Sequence, residues 1–364
     1  MAFLVLPNVR IAGFSAGVPK KISNNLKPTK DDVISSDYSL EDYVKATGVS
    51  ERRTSKVLTT SDLSFAAAEQ LITDLGWNKK DIEALVFVSQ TPDFIFPATA
   101  CILQDRLGLT KECYAIDISL GCSGWVYGLS SVASLLSSGM IKKALLLCGD
   151  AKKRFKTTLA LDDPLFGSAG SATAVEYSEG DKGLAFHFGT DGSGYDAIII
   201  PDGGSRSPFT MNSFDFEEFD GKQQNRLQAR MKGMDVFSFG ISVAPKSIKK
   251  LAEYLGFDYK QADYFVFHQA NKKMNDFIAQ KLKLPVEKVP TSLDKFGNTS
   301  SASIPLTIVA RLKEELTLES KKFICCGFGV GLSWGTVYFE TDKKIVVSKL
   351  VEVDDSEVDN VHVV

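Results

Sequence analysis

Apolar residues along this chain recur at two spacings. Over 64–75 and 245–255 they fall at helical intervals, and each run stops at a glycine, Gly76 or Gly256, before a strand-like apolar run. The same reading predicts helices over 98–107 and 122–138, and strands over 114–119, 144–149, 264–267 and 333–339. Alternating helices and strands imply an α/β architecture with largely buried sheets. Residues 205–228 break the pattern: they are polar and loop-like, as expected of an insertion or cap. Beyond Phe339 the pattern fades, and 341–364 reads as a mobile, functionally neutral acidic tail carrying Asp354, Asp355, Glu357 and Asp359. Residues 1–13 are apolar without a basic region and small-residue cleavage site, and read as a first strand.

The pattern also repeats. Residues 75–88 align without a gap to 255–268, an offset of 180, and 142–148 echo 321–327 at an offset of 179. Two echoes at nearly one offset suggest duplicated α/β halves, 1–178 and 179–340.

Composition narrows the function. The 364 residues are 44% apolar and 24% charged, enough for a substantial core and about two domains. Lys and Arg number 42 against 45 Asp and Glu, a formal charge of −3, which argues against a general nucleic-acid or anionic-membrane binder. No run approaches the ~18 apolar residues of a membrane span. A cytoplasmic location is the expectation. The six cysteines include no C-x-x-C pair, so a disulfide framework is not expected. Cys101, Cys113, Cys148, Cys325 and Cys326 lie in apolar stretches and read as buried reduced thiols. The three histidines, His187, His268 and His362, are too few for a multi-histidine metal site, and no metal is expected.

Cys122 stands apart from the other cysteines. A strand runs into Gly121, Cys122, Ser123 and Gly124 and then into an apolar helix, where backbone N–H groups and the helix dipole would lower a thiol's pKa. His268 follows an apolar strand, at the end where open α/β sheets place ligands. Asn298 lies in a Gly- and hydroxyl-rich turn; alone it would be a cap residue, and its glycosylation pattern has no secretory signal behind it. Glycines 327, 329 and 331 superficially match a nucleotide-binding loop, but a strand rather than a helix follows. Such a turn can instead bring backbone N–H groups to an oxyanion.

Together Gly-Cys-Ser-Gly-Trp at 121–125, His-Gln-Ala-Asn at 268–271, Gly-Asn-Thr-Ser-Ser-Ala-Ser-Ile-Pro at 297–305 and Gly-Phe-Gly-Val-Gly-Leu-Ser-Trp-Gly at 327–335 resemble the β-ketoacyl-acyl-carrier-protein synthase III family. The likeness runs in order over roughly residues 8–340. It implies a thiolase-like fold, duplicated α/β halves in a five-layered arrangement, and a homodimer. By resemblance, Cys122 takes an acyl group from a thioester, and the backbone N–H groups of Cys122 and Val330 form an oxyanion hole. His268 and Asn298 would stabilise the enolate formed as a malonyl group on acyl carrier protein loses carbon dioxide. Phe96, reaching across the dimer, Phe166 and Phe328 match acyl-pocket positions, and Lys272 and Lys273 lie where the carrier protein docks. No cofactor is implied.

There are departures. Asp42 and Tyr43 stand where housekeeping members have a Trp that stacks on coenzyme A, Ala46 replaces a basic residue, and the loop 151–156 leads into no Arg-Gly pair. These favour a carrier-bound donor or a specialised pathway over an acetyl-coenzyme A primer. Three other readings compete: a related acyltransferase to a hydroxyl or amine without decarboxylation, a papain-like hydrolase sharing the Cys–His–Asn order, and a catalytically silent scaffold. The papain-like reading is disfavoured by Gly-Cys-Ser-Gly lying deep in a chain without disulfide signals.

Overall fold

A computed structural model describes residues 2–28, 39–151 and 164–357. The expectations on loop residues 152–156, on Asp359 and on His362 lie outside the described residues.

The two sequence echoes fold alike down to single hydrogen bonds. Helices Thr60–Leu75 and Gly233–Leu255 both end on a left-handed glycine, Gly76 (φ 63°) and Gly256 (φ 70°), whose N–H closes the last turn. Glycine adopts this backbone without the steric penalty a Cβ brings. After each, a polar side chain caps a 3-10 turn: Asn78 accepts from the Lys80 N–H and Asp258 from the Lys260 N–H, both at 3.0 Å. Each turn feeds a buried strand, Ala84–Val88 or Tyr264–Phe267.

In the first sheet the order is Tyr114–Ile118, Ala84–Val88, Lys143–Asp150, Ala169–Tyr177, Val9–Pro19. The second runs Tyr264–Phe267, Lys322–Gly329, Ser333–Glu340, Leu184–Thr190, Ala2–Leu6. In both, Lys143–Asp150 or its counterpart Lys322–Gly329 pairs parallel on one side and antiparallel on the other. Helices Gly124–Leu136 and Ser303–Arg311 pack between the sheets. Thr60–Leu75 and Thr99–Arg106 cover the outer face of the first sheet, and Gly233–Leu255, with Lys272–Leu282 against it, covers the second. That is five layers, a thiolase-like fold. The central layer carries the core: Trp125, Val126, Leu129, Val132 and Leu136 are all buried, and the Trp125 indole N–H donates to Thr173 Oγ1 at 3.0 Å.

Several expectations change. The helix expected to start at 245 begins twelve residues earlier, at Gly233, with Pro245 inside it. Proline cannot donate to the carbonyl four residues back, that of Ile241; Lys281 Nζ donates to it instead, at 3.0 Å. The loop region 205–228 contains a 3-10 turn, Met211–Phe214, and a small hairpin, Glu217–Phe219 with Lys222–Gln224. The acidic tail is not loose up to 357: Val346–Val347 and Val351–Val353 pair in parallel with Val9–Pro19 in the first sheet. Conversely, strand Ala2–Leu6 belongs to the second sheet, antiparallel to Leu184–Thr190. Cys101 is exposed and Cys113 partly so, whereas Cys148, Cys325 and Cys326 are buried.

Candidate active site

Strand Tyr114–Ile118 ends at a tight turn, in which the Gly124 N–H donates to the Gly121 carbonyl at 2.7 Å. Helix Gly124–Leu136 starts there, which puts Cys122 two residues ahead of its first turn. The second half closes over it. Strand Lys322–Gly329 passes so near that a Cβ on Gly329 would sit 2.5 Å from Cys122 Cβ and 2.7 Å from its Sγ. On Gly327 it would meet Ser123 Cα at 2.9 Å. The glycines of 327–331 thus permit close approach rather than cradle a phosphate. Ser333 Oγ donates to the Val330 carbonyl at 2.8 Å, and its partner at 2.7 Å is Ser123 Oγ at the helix start. This pins the turn so that the backbone N–H groups of Val330 and of Cys122 itself face the thiol.

The expected lowering of the Cys122 pKa is reversed. Burial pushes the thiol up to about 11, and the Asp150 carboxylate adds to it. The two N–H groups and the Ser300 side chain pull the other way without prevailing. Among these influences burial, which disfavours the charged thiolate, is the largest.

His268 follows strand Tyr264–Phe267, and its N–H donates to the Cys326 carbonyl at 2.8 Å. The ring is 1% exposed. Nδ1 is 2.8 Å from Ser303 Oγ, the Ser300 backbone also engages the ring, and the Phe328 ring stands edge-on at 5.7 Å. Burial lowers the imidazole to about 4, so at neutral pH it is uncharged. Ser303 Oγ also accepts from the Gln269 N–H at 3.3 Å.

Asn298 is held from both sides. Its N–H donates to the Leu165 carbonyl at 2.8 Å, its Oδ1 accepts from the Ser300 N–H at 2.9 Å, and its Nδ2 lies 3.4 Å from the Ala270 carbonyl. Phe166 pairs with Asn298 through an isolated β-bridge. Cys122, His268 and Asn298 therefore meet around Ser300, which touches all three, and Val330, Phe166 and Phe328 lie against the same cluster.

Phe96 is not drawn in by this chain: it is 84% exposed, beside Ile95 at 95%. Lys272 and Lys273 begin helix Lys272–Leu282; Lys272 pairs with Asp276, and Lys273 Nζ lies 5.9 Å from the centre of the Phe237 ring. Ser39 caps helix Leu40–Thr47: its Oγ accepts from the Asp42 N–H at 3.1 Å and donates to the Asp42 carboxylate at 2.8 Å.

Two residues the motifs did not flag also sit here, Ser300 and Asp150. Asp150 ends the apolar strand Lys143–Asp150, and a carboxylate closing such a strand was a readable signal. Among the described residues, no group of three or more His, Cys, Asp and Glu side chains is placed to hold a metal ion, and no helix is long and apolar enough to cross a membrane.

The chain resembles known proteins over both segments that carry these residues. The family model of 3-oxoacyl-[acyl-carrier-protein] synthase III matches residues 116–192, which include Cys122, and that of its C-terminal part matches 252–341, which include His268 and Asn298. A β-ketoacyl-[acyl-carrier-protein] synthase III of Rhodopirellula baltica is 32% identical over 358 residues, 92% of this chain and 99% of the relative. One from Clostridium perfringens is 31% identical over 336 residues, covering 91% and 98%. The crystal structure of a 3-oxoacyl-(acyl-carrier protein) synthase from Burkholderia xenovorans matches with a TM-score of 0.87 at 36% identity, covering 97% of this chain and 99% of that one. The chain belongs to the β-ketoacyl-[acyl-carrier-protein] synthase III family.

Proposed function

We propose that this protein is a condensing enzyme of fatty acid biosynthesis that joins an acyl group to malonyl-acyl-carrier protein with loss of carbon dioxide. The observation that carries the reading is the meeting of Cys122, His268 and Asn298 around one residue at the junction of the two halves. Cys122 attacks the donor thioester, and the N–H groups of Cys122 and Val330 hold the oxyanion. The acyl-Cys122 intermediate then waits for the malonyl group. His268, held neutral by burial, and Asn298 Nδ2 donate to its thioester carbonyl, so the enolate left by carbon dioxide is stabilised without being protonated. Its carbon attacks the acyl-Cys122 carbonyl, giving a β-ketoacyl product. The chemistry calls on no metal or redox group.

Phe166 and Phe328 would line the acyl site, and the exposed Phe96 would complete a partner's pocket in a homodimer. Lys272 and Lys273 suit an acidic carrier protein: cations at a helix N-terminus oppose the dipole, and an acidic partner would relieve that.

The test is incubation with a panel of acyl-coenzyme A and acyl-carrier donors, then malonyl-acyl-carrier protein, reading the mass on Cys122 and the carbon dioxide released. An acyl adduct followed by carbon dioxide release, both lost in Cys122→Ala, is expected. An adduct that passes to a hydroxyl or amine acceptor without carbon dioxide would make the protein a non-decarboxylating acyltransferase instead.

A further inference from the structure

A neutral imidazole carries its one hydrogen on Nδ1 or on Nε2, and the partner of one nitrogen settles the state of the other. We propose that Ser303 is a positioning residue for His268: its hydroxyl donates to Nδ1 and so keeps the ring hydrogen on Nε2, where the malonyl thioester carbonyl needs a donor. The inference rests on the condensing-enzyme reading and deepens it, by naming the group that sets one of its two donors.

The contact is short and buried. His268 Nδ1 lies 2.8 Å from Ser303 Oγ, and both residues are 1% exposed. Such a contact can run in two senses, with either partner supplying the hydrogen. The other bond of the Ser303 hydroxyl separates them. Ser303 Oγ accepts from the Gln269 N–H at 3.3 Å, and a backbone N–H only donates. His268 Nδ1 is therefore the one acceptor within hydrogen-bond reach of the Ser303 hydrogen among the described residues. Were the ring to donate instead, the serine would accept twice and its own hydrogen would be buried without a partner, a costly arrangement.

Both partners are fixed from behind. The His268 carbonyl accepts from the Ala270 N–H at 2.9 Å and from Asn275 Nδ2 at 3.2 Å, which adds two anchors to the bond its N–H makes. Gln269, also 1% exposed, is tied down by both amide atoms: Nε2 donates to the Phe267 carbonyl at 2.8 Å, and Oε1 accepts from Thr291 Oγ1 at 2.8 Å and the Ser292 N–H at 3.1 Å. Ser303 opens helix Ser303–Arg311, and Thr307 Oγ1 donates to its carbonyl at 2.7 Å. Just ahead, Ser300 takes a left-handed φ of 52°, uncommon for a residue other than glycine, between Asn298 and that helix. What remains is rotation of the imidazole about its own bond. A half-turn would set a ring carbon against Ser303 Oγ, so the hydroxyl that selects the hydrogen also selects the ring's orientation.

The consequence falls on one step. As carbon dioxide leaves, the electron pair of the broken C–C bond moves into the enolate and charge gathers on the thioester oxygen. His268 Nε2–H and Asn298 Nδ2 donate to that oxygen more strongly as the charge grows, and neither gives up a proton. With the hydrogen on Nδ1, Nε2 would turn a lone pair toward the same oxygen and oppose the charge. Attack of Cys122 on the donor uses the backbone N–H groups of Cys122 and Val330 and makes no such demand on the ring.

The experiment uses the full chain labelled with nitrogen-15 at histidine, as wild type, Ser303→Ala and Ser303→Thr, with His268→Gln to identify the His268 signals by their loss. Solid-state nitrogen spectra at neutral pH read the ring directly. Wild type is expected to show a protonated Nε2 and an unprotonated, hydrogen-bonded Nδ1. Ser303→Ala should lose the hydrogen-bond shift of Nδ1 and spread the hydrogen over both nitrogens, and Ser303→Thr, which keeps a hydroxyl, should restore the wild-type pattern. In Ser303→Ala, carbon dioxide release from malonyl-acyl-carrier protein by acyl-Cys122 should fall about tenfold, short of the ~10²–10³ lost with an oxyanion donor itself, while single-turnover acylation of Cys122 stays within about twofold of wild type. A hydrogen on Nδ1 in wild type, shared with the Ser303 oxygen or the Ser300 backbone, overturns the proposal. So does a Ser303→Ala variant whose ring spectrum is unchanged, or one that loses acylation and carbon dioxide release in equal measure, the mark of a merely structural serine. A wild type with the expected ring state that takes no acyl group from acetyl-, butyryl- or octanoyl donors, on coenzyme A or on carrier protein, counts against the condensing function alone.

Discussion

At Cys122, burial and the backbone N–H groups of Val330 and Cys122 act on one atom in opposite directions, and burial is the larger influence. The motif around Cys122 was readable because nucleophile, glycines and helix are consecutive. The resulting thiol pKa was not, because it depends on Asp150 and on strand Lys322–Gly329, which arrive from far along the chain. Asn298 was readable as part of a motif, whereas Ser300, two residues on, matters through its backbone conformation, which no residue type announces. Two predictions belong to this scale. Gly329→Ala places a methyl group against the nucleophile and should cut acylation of Cys122 at least about tenfold while the chain still folds; mass spectrometry and circular dichroism check the two halves of that statement. His268 is lowered to about 4 in the folded chain, below its unfolded value of about 6.5. Its contribution to stability is therefore complete above about pH 6.5 and is lost as pH falls from there toward 4. Urea titrations across that range should show the decline, and an assay of condensation should show no His268 limb near pH 6.5.

Elements were well placed where local signals suffice. Helix ends at Gly76 and Gly256, the 3-10 turns that follow and the strands after them were visible because each device spans only a few residues. The start of helix Gly233–Leu255 was not, because Pro245 reads as a first-turn residue. The donor that excuses it, Lys281, comes from another helix. Substituting either capping glycine by alanine forces a left-handed Cβ where no neighbour lies within 4 Å. The cost is then backbone strain alone, about 1 kcal/mol at each site. Gly76→Ala and Gly256→Ala should give equal shifts in the urea midpoint, since the two ends are built alike.

For the whole molecule, the duplication was legible and the exchange of termini was not. Short strands such as Val346–Val347 acquire their identity from the strand they join, and that partner lies more than 300 residues away. The acidic appearance of the tail misled for the same reason: Arg53 pairs with Glu352, Lys20 with Asp354, and Ser55 Oγ donates to Asp355. Deleting everything after Asp342 would remove three buried apolar side chains, Ile345, Val347 and Val353, worth roughly 5 kcal/mol together. Against a typical total of about 5–15 kcal/mol, the shortened chain should melt far below the full one and aggregate through the bared edge of Val9–Pro19, as a thermal scan with light scattering would show.

The exchanged ends also set the order in which the protein can be finished. Strand Ala2–Leu6 is made first, yet its place is beside Leu184–Thr190, so it must wait for half the chain. The first sheet in turn keeps an open edge until Val351–Val353 is made. Neither half can be completed from its own residues, and each leaves synthesis holding a piece of the other. The candidate site draws Cys122 from the end of strand Tyr114–Ile118 and His268 from the end of Tyr264–Phe267, so it too waits until both halves have been made.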